Sequence, residues 1–260
     1  MALIWLFVFD WWNNHPAAPT SGQTYAVVVG ISDYRALSYD TGDLRYADQD
    51  ARQVVRFLQS QSGGHVSATH IRLLTNQQAT WSNVQRALTL FRQASTGDRV
   101  ILYFSGHGTS DSFVPYDVVP GSSQKLLTHH AIKAAFHESR ATTKLCIADA
   151  CLSGSMTQPT QPRSLAQRIA RNVGAETNVA MLLASRSTEY ARETSRLRGG
   201  AFTHFLLKGL TGQADLNGDK VVTIRELHQY VAPQVRQTTR GRQAPVFYGR
   251  FPDDLALANL

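Results

Sequence analysis

Cysteine is almost absent from this chain: its 260 residues hold only Cys146 and Cys151. The two stand on one apolar stretch and just past its end, which is poor geometry for a mutual bridge. A disulfide framework is thereby excluded, and the composition suits a reducing, cytoplasmic compartment. Long apolar runs are also missing. The strongest, Ala2–Phe9, is interrupted by Asp10 before Trp11 and Trp12. It is far shorter than the ~20 residues a membrane-spanning helix needs, and it lacks the basic start of a secretory leader. Lys and Arg outnumber Asp and Glu by 26 to 19, but no basic run is interleaved with aromatics. Nucleic acid is therefore not an expected partner. No His/Cys grouping has the spacing of a zinc site, and no internal repeat is present.

What is there reads as one α/β domain. Residues 1–23 form an apolar N-terminal segment and a Pro-containing linker, and residues 24–260 form the domain. Membrane contact by residues 2–12 is the alternative to a segment packed on the domain. The runs at 25–31, 70–74, 99–104, 144–149 and 178–184 have the length and apolar continuity of strands buried on both faces. Between them the period changes to that of amphipathic helices. One is expected from Asp43 to the Gly63-Gly64 stop, carrying Leu44, Ala47, Ala51, Val54 and Leu58. A second is expected on Trp81, Val84, Leu88 and Phe91, capped by Thr80 or Ser82. Further helices are expected at 128–137, 200–211 and 223–238, with a last strand at Val246–Tyr248. Alternation of this kind implies a mostly parallel sheet with helices on both faces. Residues 155–177 hold little apolar content and read as a long mobile loop.

Two strand ends carry reactive groups. Val100–Phe104 runs into Ser105-Gly106-His107-Gly108, and Lys144–Ala148 runs into Asp149-Ala150-Cys151-Leu152-Ser153-Gly154. In open parallel sheets ligands bind beyond the carboxyl ends of the strands. A thiol becomes a good nucleophile only on losing its proton, which a neighbouring imidazole can take. Cys151 is thus the candidate nucleophile and His107 its base. The N–H groups of Gly108 and Cys151 are the candidate oxyanion donors. Cys146, inside its strand, reads as a core residue.

Five blocks occur in order: Tyr25–Ile31, Leu44–Ala51 (Leu-Arg-Tyr-Ala-Asp-Gln-Asp-Ala), Tyr103–Gly108, Asp149–Gly154 and Ala184-Ser185-Arg186. The series resembles the caspase-like cysteine peptidases of clan CD (peptidase C14), in particular the bacterial metacaspase-like or orthocaspase branch. The resemblance spans residues 25–250. It implies a caspase–haemoglobinase fold and hydrolysis of peptide bonds by a Cys151/His107 dyad, with no cofactor required for the chemistry. It also implies that Asp50, Ser105 and Asp149 line the pocket for the residue before the cut bond. Protein or peptide substrates would then be cut after Arg or Lys, since a cationic side chain needs buried carboxylates. The plainer reading makes Asp50 a solvated helix residue and Asp149 the cap of a backbone turn. Where many metacaspases carry a cysteine three residues before the helix aspartate, this chain has Ala47.

Specificity for basic residues would make Arg163, Arg168 and Arg171 sites of self-cleavage. Asp215, Asn217, Asp219, Val221, Thr223 and Glu226 stand at positions 1, 3, 5, 7, 9 and 12 of an EF-hand-like loop, whose usual Gly is Lys220. The loop reads either as a Ca²⁺ site or as a turn, with Thr223 and Glu226 forming a capping box. Two functions compete with the peptidase: a catalytically silent caspase-like interaction module and a membrane-tethered effector. The resemblance favours a monomer.

Overall fold

The apolar runs become the strands β1 (Thr24–Gly30), β2 (Ile71–Thr75) and β3 (Arg99–Gly106), the short β4 (Ser112–Phe113) and β5 (Leu127–Thr128), then β6 (Thr143–Ala150) and β7 (Val179–Leu183). The short β8 (Glu193–Thr194), β9 (Gly199–Gly200) and β10 (Val221–Thr223) precede β11 (Val246–Gly249) and β12 (Ala256–Asn259). This is a computed structural model, and it describes residues 22–38, 42–109, 111–150, 179–184, 193–194, 197, 199–249 and 251–260. Six strands form one sheet in the order β11-β7-β6-β3-β1-β2. Its neighbours run parallel except β11, which lies antiparallel to β7 at the edge.

The helices among the described residues are α1 (Ala47–Gln59), α2 (Trp81–Leu88), α3 (His129–His137), α4 (Ala201–Lys208) and α5 (Ile224–Thr238). They cover the sheet on both sides because successive strand side chains alternate in direction. On one face Val27, Val29, Leu102, Phe104, Cys146 and Ala148 pack with Val84 and Leu88 of α2 and with Ile132 and Phe136 of α3. On the other, Val28, Tyr103, Ile147 and Leu182 pack with Val54 and Leu58 of α1, Phe202 and Leu206 of α4, and Leu227 and Val231 of α5. The expected mixed, mostly parallel α/β architecture is the observed one. Among the described residues no helix is long and apolar enough to cross a membrane.

Some expected boundaries move. Helix α1 begins at Ala47 rather than Asp43. The Asp43 carboxylate instead accepts the Tyr34 N–H at 2.9 Å, and the Leu44 N–H donates to the Ser32 carbonyl at 2.8 Å. These bonds hold residues 42–46 against the loop that leaves β1. Trp81 is the first residue of α2, capped by the Thr80 hydroxyl, and is 38% exposed, so it is no core residue. Helix α4 stops at Lys208, and a single π-helical turn continues over Gly209–Gln213.

Candidate active site

Strands β3 and β6 are neighbours and parallel, with Ser105 opposite Asp149 and Gly106 opposite Ala150. His107 follows directly. Its N–H donates to the hydroxyl of Tyr34 at 2.7 Å, and the two rings lie 5.0 Å apart. Tyr34 is fully buried, and a side chain at position 106 would stand 2.6 Å from its oxygen. Glycine at 106 is what lets that hydroxyl reach the main chain at the strand exit.

The other end of the imidazole is fixed too. His107 Nε2 meets the carbonyl oxygen of Gly42 at 2.5 Å. A carbonyl can only accept, so Nε2 carries a proton, and in the neutral ring Nδ1 keeps the free lone pair. That tautomer is the one a general base needs.

Gly108 forms an isolated antiparallel bridge with Phe113. The bonds that close it lie on either side: the Thr109 N–H to the Ser112 carbonyl at 2.7 Å, and the Val114 N–H to the His107 carbonyl at 3.0 Å. Gly108 is therefore in the non-hydrogen-bonded pair, and its own N–H turns away from the ladder. Cys151, which supplies the thiol and the second N–H of the expected site, lies outside the described residues. Its chain neighbour Ala150 ends β6 beside Gly106. Cys146 is fully buried, and burial pushes its thiol up to about 12, which matches its reading as an inert core cysteine.

The three residues expected to line the specificity pocket come together. Asp50, Ser105 and Asp149 are 2%, 4% and 5% exposed. Asp50 is thus not the solvated residue of the plainer reading, because α1 turns it inward against the start of α4. Its Oδ2 accepts the Gly200 N–H at 2.8 Å. Asp149 Oδ2 accepts the Thr203 N–H at 3.1 Å and the Thr203 hydroxyl at 2.8 Å. The cap role expected for Asp149 is therefore real, and it coexists with burial among the other acidic oxygens. A Cβ at Gly200 would lie 2.1 Å from Asp149 Oδ2 and 3.1 Å from Asp50 Oδ2. Both carboxylates thus flank one point, which only a glycine leaves open.

The loop of the calcium expectation is a hydrogen-bonded turn. Among the described residues no group of three or more His, Cys, Asp or Glu side chains gathers as metal ligands do. The acidic oxygens of the loop serve its own backbone. Asp215 accepts from the Gly218 and Lys220 N–H groups, Asn217 from Asp219, and Asp219 from Val221. Glu226 Oε2 accepts the Thr223 N–H and hydroxyl in a complete capping box. Val221 and Thr223 belong to β10, which pairs with β12. These oxygens already have partners within the loop, and no step of the chemistry is assigned to an ion there.

Sequence reasoning missed Tyr34, Gly42, Tyr103, Gly200 and Thr203. A phenol hydroxyl on a buried apolar strand was the available signal for Tyr103. The Gly42 carbonyl has none, because its role is a main-chain one. Residues 1–21, the loop 155–177 with Arg163, Arg168 and Arg171, and Ser185-Arg186 lie outside the described residues.

A caspase-domain family model matches residues 23–256. The chain belongs to the caspase-domain peptidases. Cysteine peptidases are what that family comprises, and the His107 exit from β3 lies inside the matched span. Among 270 matching chains of solved structures is this caspase domain's likeness to protein GSU0716 from Geobacter sulfurreducens. The two share 19% identity over 89% of this chain and 95% of that one, with a TM-score of 0.62, a likeness of fold. A search of curated protein sequences returns no match.

Proposed function

We propose that this caspase domain is a cysteine endopeptidase that cuts after Arg or Lys, of the metacaspase-like kind. The observation that carries the reading is an imidazole anchored at a strand end next to two buried carboxylates on one point. The resemblance assigns the roles. Nδ1 of His107 takes the proton of the Cys151 thiol, and the thiolate adds to the carbonyl carbon of the substrate. The N–H groups of Gly108 and Cys151 hold the oxyanion that results. Collapse breaks the C–N bond, and the departing amine takes the proton from His107. Water, deprotonated by the same imidazole, then adds to the thioester and releases the acid with return of the thiol.

Specificity rests on charge. Asp50 and Asp149 present acceptor oxygens in a site from which water is largely excluded, and Ser105 adds a hydroxyl. Like charges held this close repel each other, and a guanidinium or ammonium between them relieves that repulsion. An acidic side chain would add to it. The test compares fluorogenic peptides with Arg, Lys or Asp before the reporter, for wild type and Cys151→Ala. Release from the Arg and Lys peptides, absent in the variant, is expected. Release from the Asp peptide would overturn the pocket assignment. No release from any of them, by full-length protein with or without Ca²⁺, would favour the silent interaction module.

A further inference from the structure

The end of the sheet opposite His107 holds a cation with no counter-charge. Strands β1, β3 and β6 enter side by side there, with Thr24 opposite Arg99 and Arg99 opposite Thr143. The Arg99 guanidinium donates to the main-chain carbonyls of Ala256 at 2.7 Å and Leu257 at 3.3 Å, both in β12. These bonds fix where the head group lies. Two neutral carbonyls leave its charge unbalanced, and a guanidinium has more donors than they use. Among the described residues no carboxylate forms an ion pair with Arg99. The adjacent Asp98 is occupied elsewhere: its two oxygens accept the Gln23 and Ser95 N–H groups at 2.7 Å each. Burial works against the charged form of Arg99 and lowers its pKa, as expected of a cation set back from bulk water.

Two spaces meet at this residue. A groove of about 430 Å³ is lined by Gln23, Ser62, His65, Thr143 and Asn259, with the exposed Asp254 also on its wall. Next to it an apolar cavity of about 40 Å³ lies between the sheet and helices α1, α4 and α5, walled by Val54, Leu145, Leu182, Leu206 and Leu227. Thr24, Gly63, Arg99 and Leu257 line both. Apart from Thr24 and Arg99, every side chain on the cavity is apolar. A space of that size takes about three water-sized groups, but such walls offer water few partners, so an aliphatic group fills it better.

We infer that this junction binds a carboxylate carrying a short aliphatic group of about three or four carbons, with the carboxylate on Arg99 and the aliphatic group in the cavity. A carboxylate matches the planar fork of a guanidinium and balances its charge, which a neutral polar head does not. Sulfate or phosphate has no aliphatic part, and Asp254 opposes the extra negative charge. Two sources supply this chemistry: a free branched short-chain acid, and the C-terminal leucine of a peptide whose main chain lies along the polar groove. The site is at the other end of the sheet from the buried carboxylates, so it stands or falls independently of the specificity assigned above.

The experiment titrates full-length protein by calorimetry, with thermal melts beside it. The probes are acetate, 4-methylpentanoate (leucine without its amino group), 4-methylpentanamide, sulfate, and acetyl-Gly-Gly-Leu with a free or an amidated C-terminus. 4-Methylpentanoate is expected to bind wild type at least about tenfold more tightly than its amide or sulfate, the worth of a charged hydrogen bond. It should exceed acetate by at least about tenfold as well, since each buried methylene gives about fourfold. Arg99→Gln keeps N–H donors for the two carbonyls and should lose the preference for acid over amide. Val54→Leu, which adds a methylene to the cavity wall, should weaken 4-methylpentanoate at least about fourfold, and it carries the test if Arg99→Gln does not melt cooperatively. Binding of the free acid without the peptide assigns the site to a small molecule; binding of the free-acid peptide and not its amide assigns it to a peptide end. Acid and amide bound alike by wild type overturn the inference. So does 4-methylpentanoate bound no better than acetate, an Arg99→Gln protein that folds and keeps the acid preference, or no binding of either carboxylate at about 10 mM.

Discussion

Replacing Gly200 by alanine puts the pocket geometry to a direct test. The backbone there has φ −64° and ψ 134°, which any residue adopts, so the substitution meets no conformational penalty. Its whole effect comes from the added methyl, 2.1 Å from Asp149 Oδ2 and 3.1 Å from Asp50 Oδ2. Asp149 cannot swing away without giving up both bonds to Thr203, and it sits on a central strand. Overpacking of this kind costs about 1–3 kcal/mol, and a loosened hydrogen bond adds about 1 kcal/mol. We expect a loss of roughly 2–4 kcal/mol, which for a domain of this size lowers the melting temperature by about 5–15 °C. KM for Arg peptides should rise at least about tenfold, because a displaced carboxylate no longer faces its cation. The decisive assay is a double-mutant cycle with Asp149→Ala, read by urea unfolding. Removing the carboxylate makes room for the methyl, so the two changes should couple by more than about 1 kcal/mol. Additivity within about 0.5 kcal/mol would refute the claim that both carboxylates crowd this position.

Three further outcomes follow from the same geometry. Tyr34→Phe removes the acceptor of the His107 N–H. It should cost about 1–3 kcal/mol of stability and about ten- to a hundredfold in kcat with KM nearly unchanged; an unaltered kcat would show that the imidazole needs no such anchor. His129 is half-buried, its Nε2 is enclosed and lacks a partner among the described residues, and desolvation lowers its titration to about 4 while the charge of Asp111 pulls the other way. Its folded value lies below the ordinary 6.5, so the unfolded chain binds the proton first. Stability is full above about pH 6.5 and falls as pH drops toward 4, by up to about 3 kcal/mol. Urea midpoints at pH 7.5, 5.5 and 4.5 should show wild type losing stability relative to His129→Phe as pH falls; a constant difference would contradict this. Self-cleavage after Arg163, Arg168 or Arg171 should give wild-type fragments on intact-mass analysis that Cys151→Ala lacks, and identical masses would end that proposal.

Much of the fold was legible because both faces of the sheet are covered. Strands such as Tyr25–Ile31 and Val100–Phe104 read as unbroken apolar runs, and only helices can lie between parallel neighbours. The strand ends were legible for a related reason: small residues after such a run mark where a strand stops. What escaped notice was whatever depends on distant pairing. Asp43 looked like a helix start because it precedes a periodic stretch, yet its carboxylate serves Tyr34 across a loop. Trp81 fell on the apolar period, but a first-turn residue capped by Thr80 sits at the rim. Glu226 fits a cation loop and a capping box equally well by spacing, and its carboxylate is bonded to Thr223 as the box requires. Thr203 carries no local sign that it faces Asp149.

The partner of the His107 ring is a main-chain oxygen, contributed by Gly42. No exchange of one amino acid for another can delete that group, as it can an aspartate in a Ser-His-Asp arrangement. The tautomer of the ring is governed by where a short stretch of backbone lies, which makes that stretch a natural lever. Anything that tugs residues 42–46 off the β1 exit would silence the imidazole while every side chain of the site stayed in place.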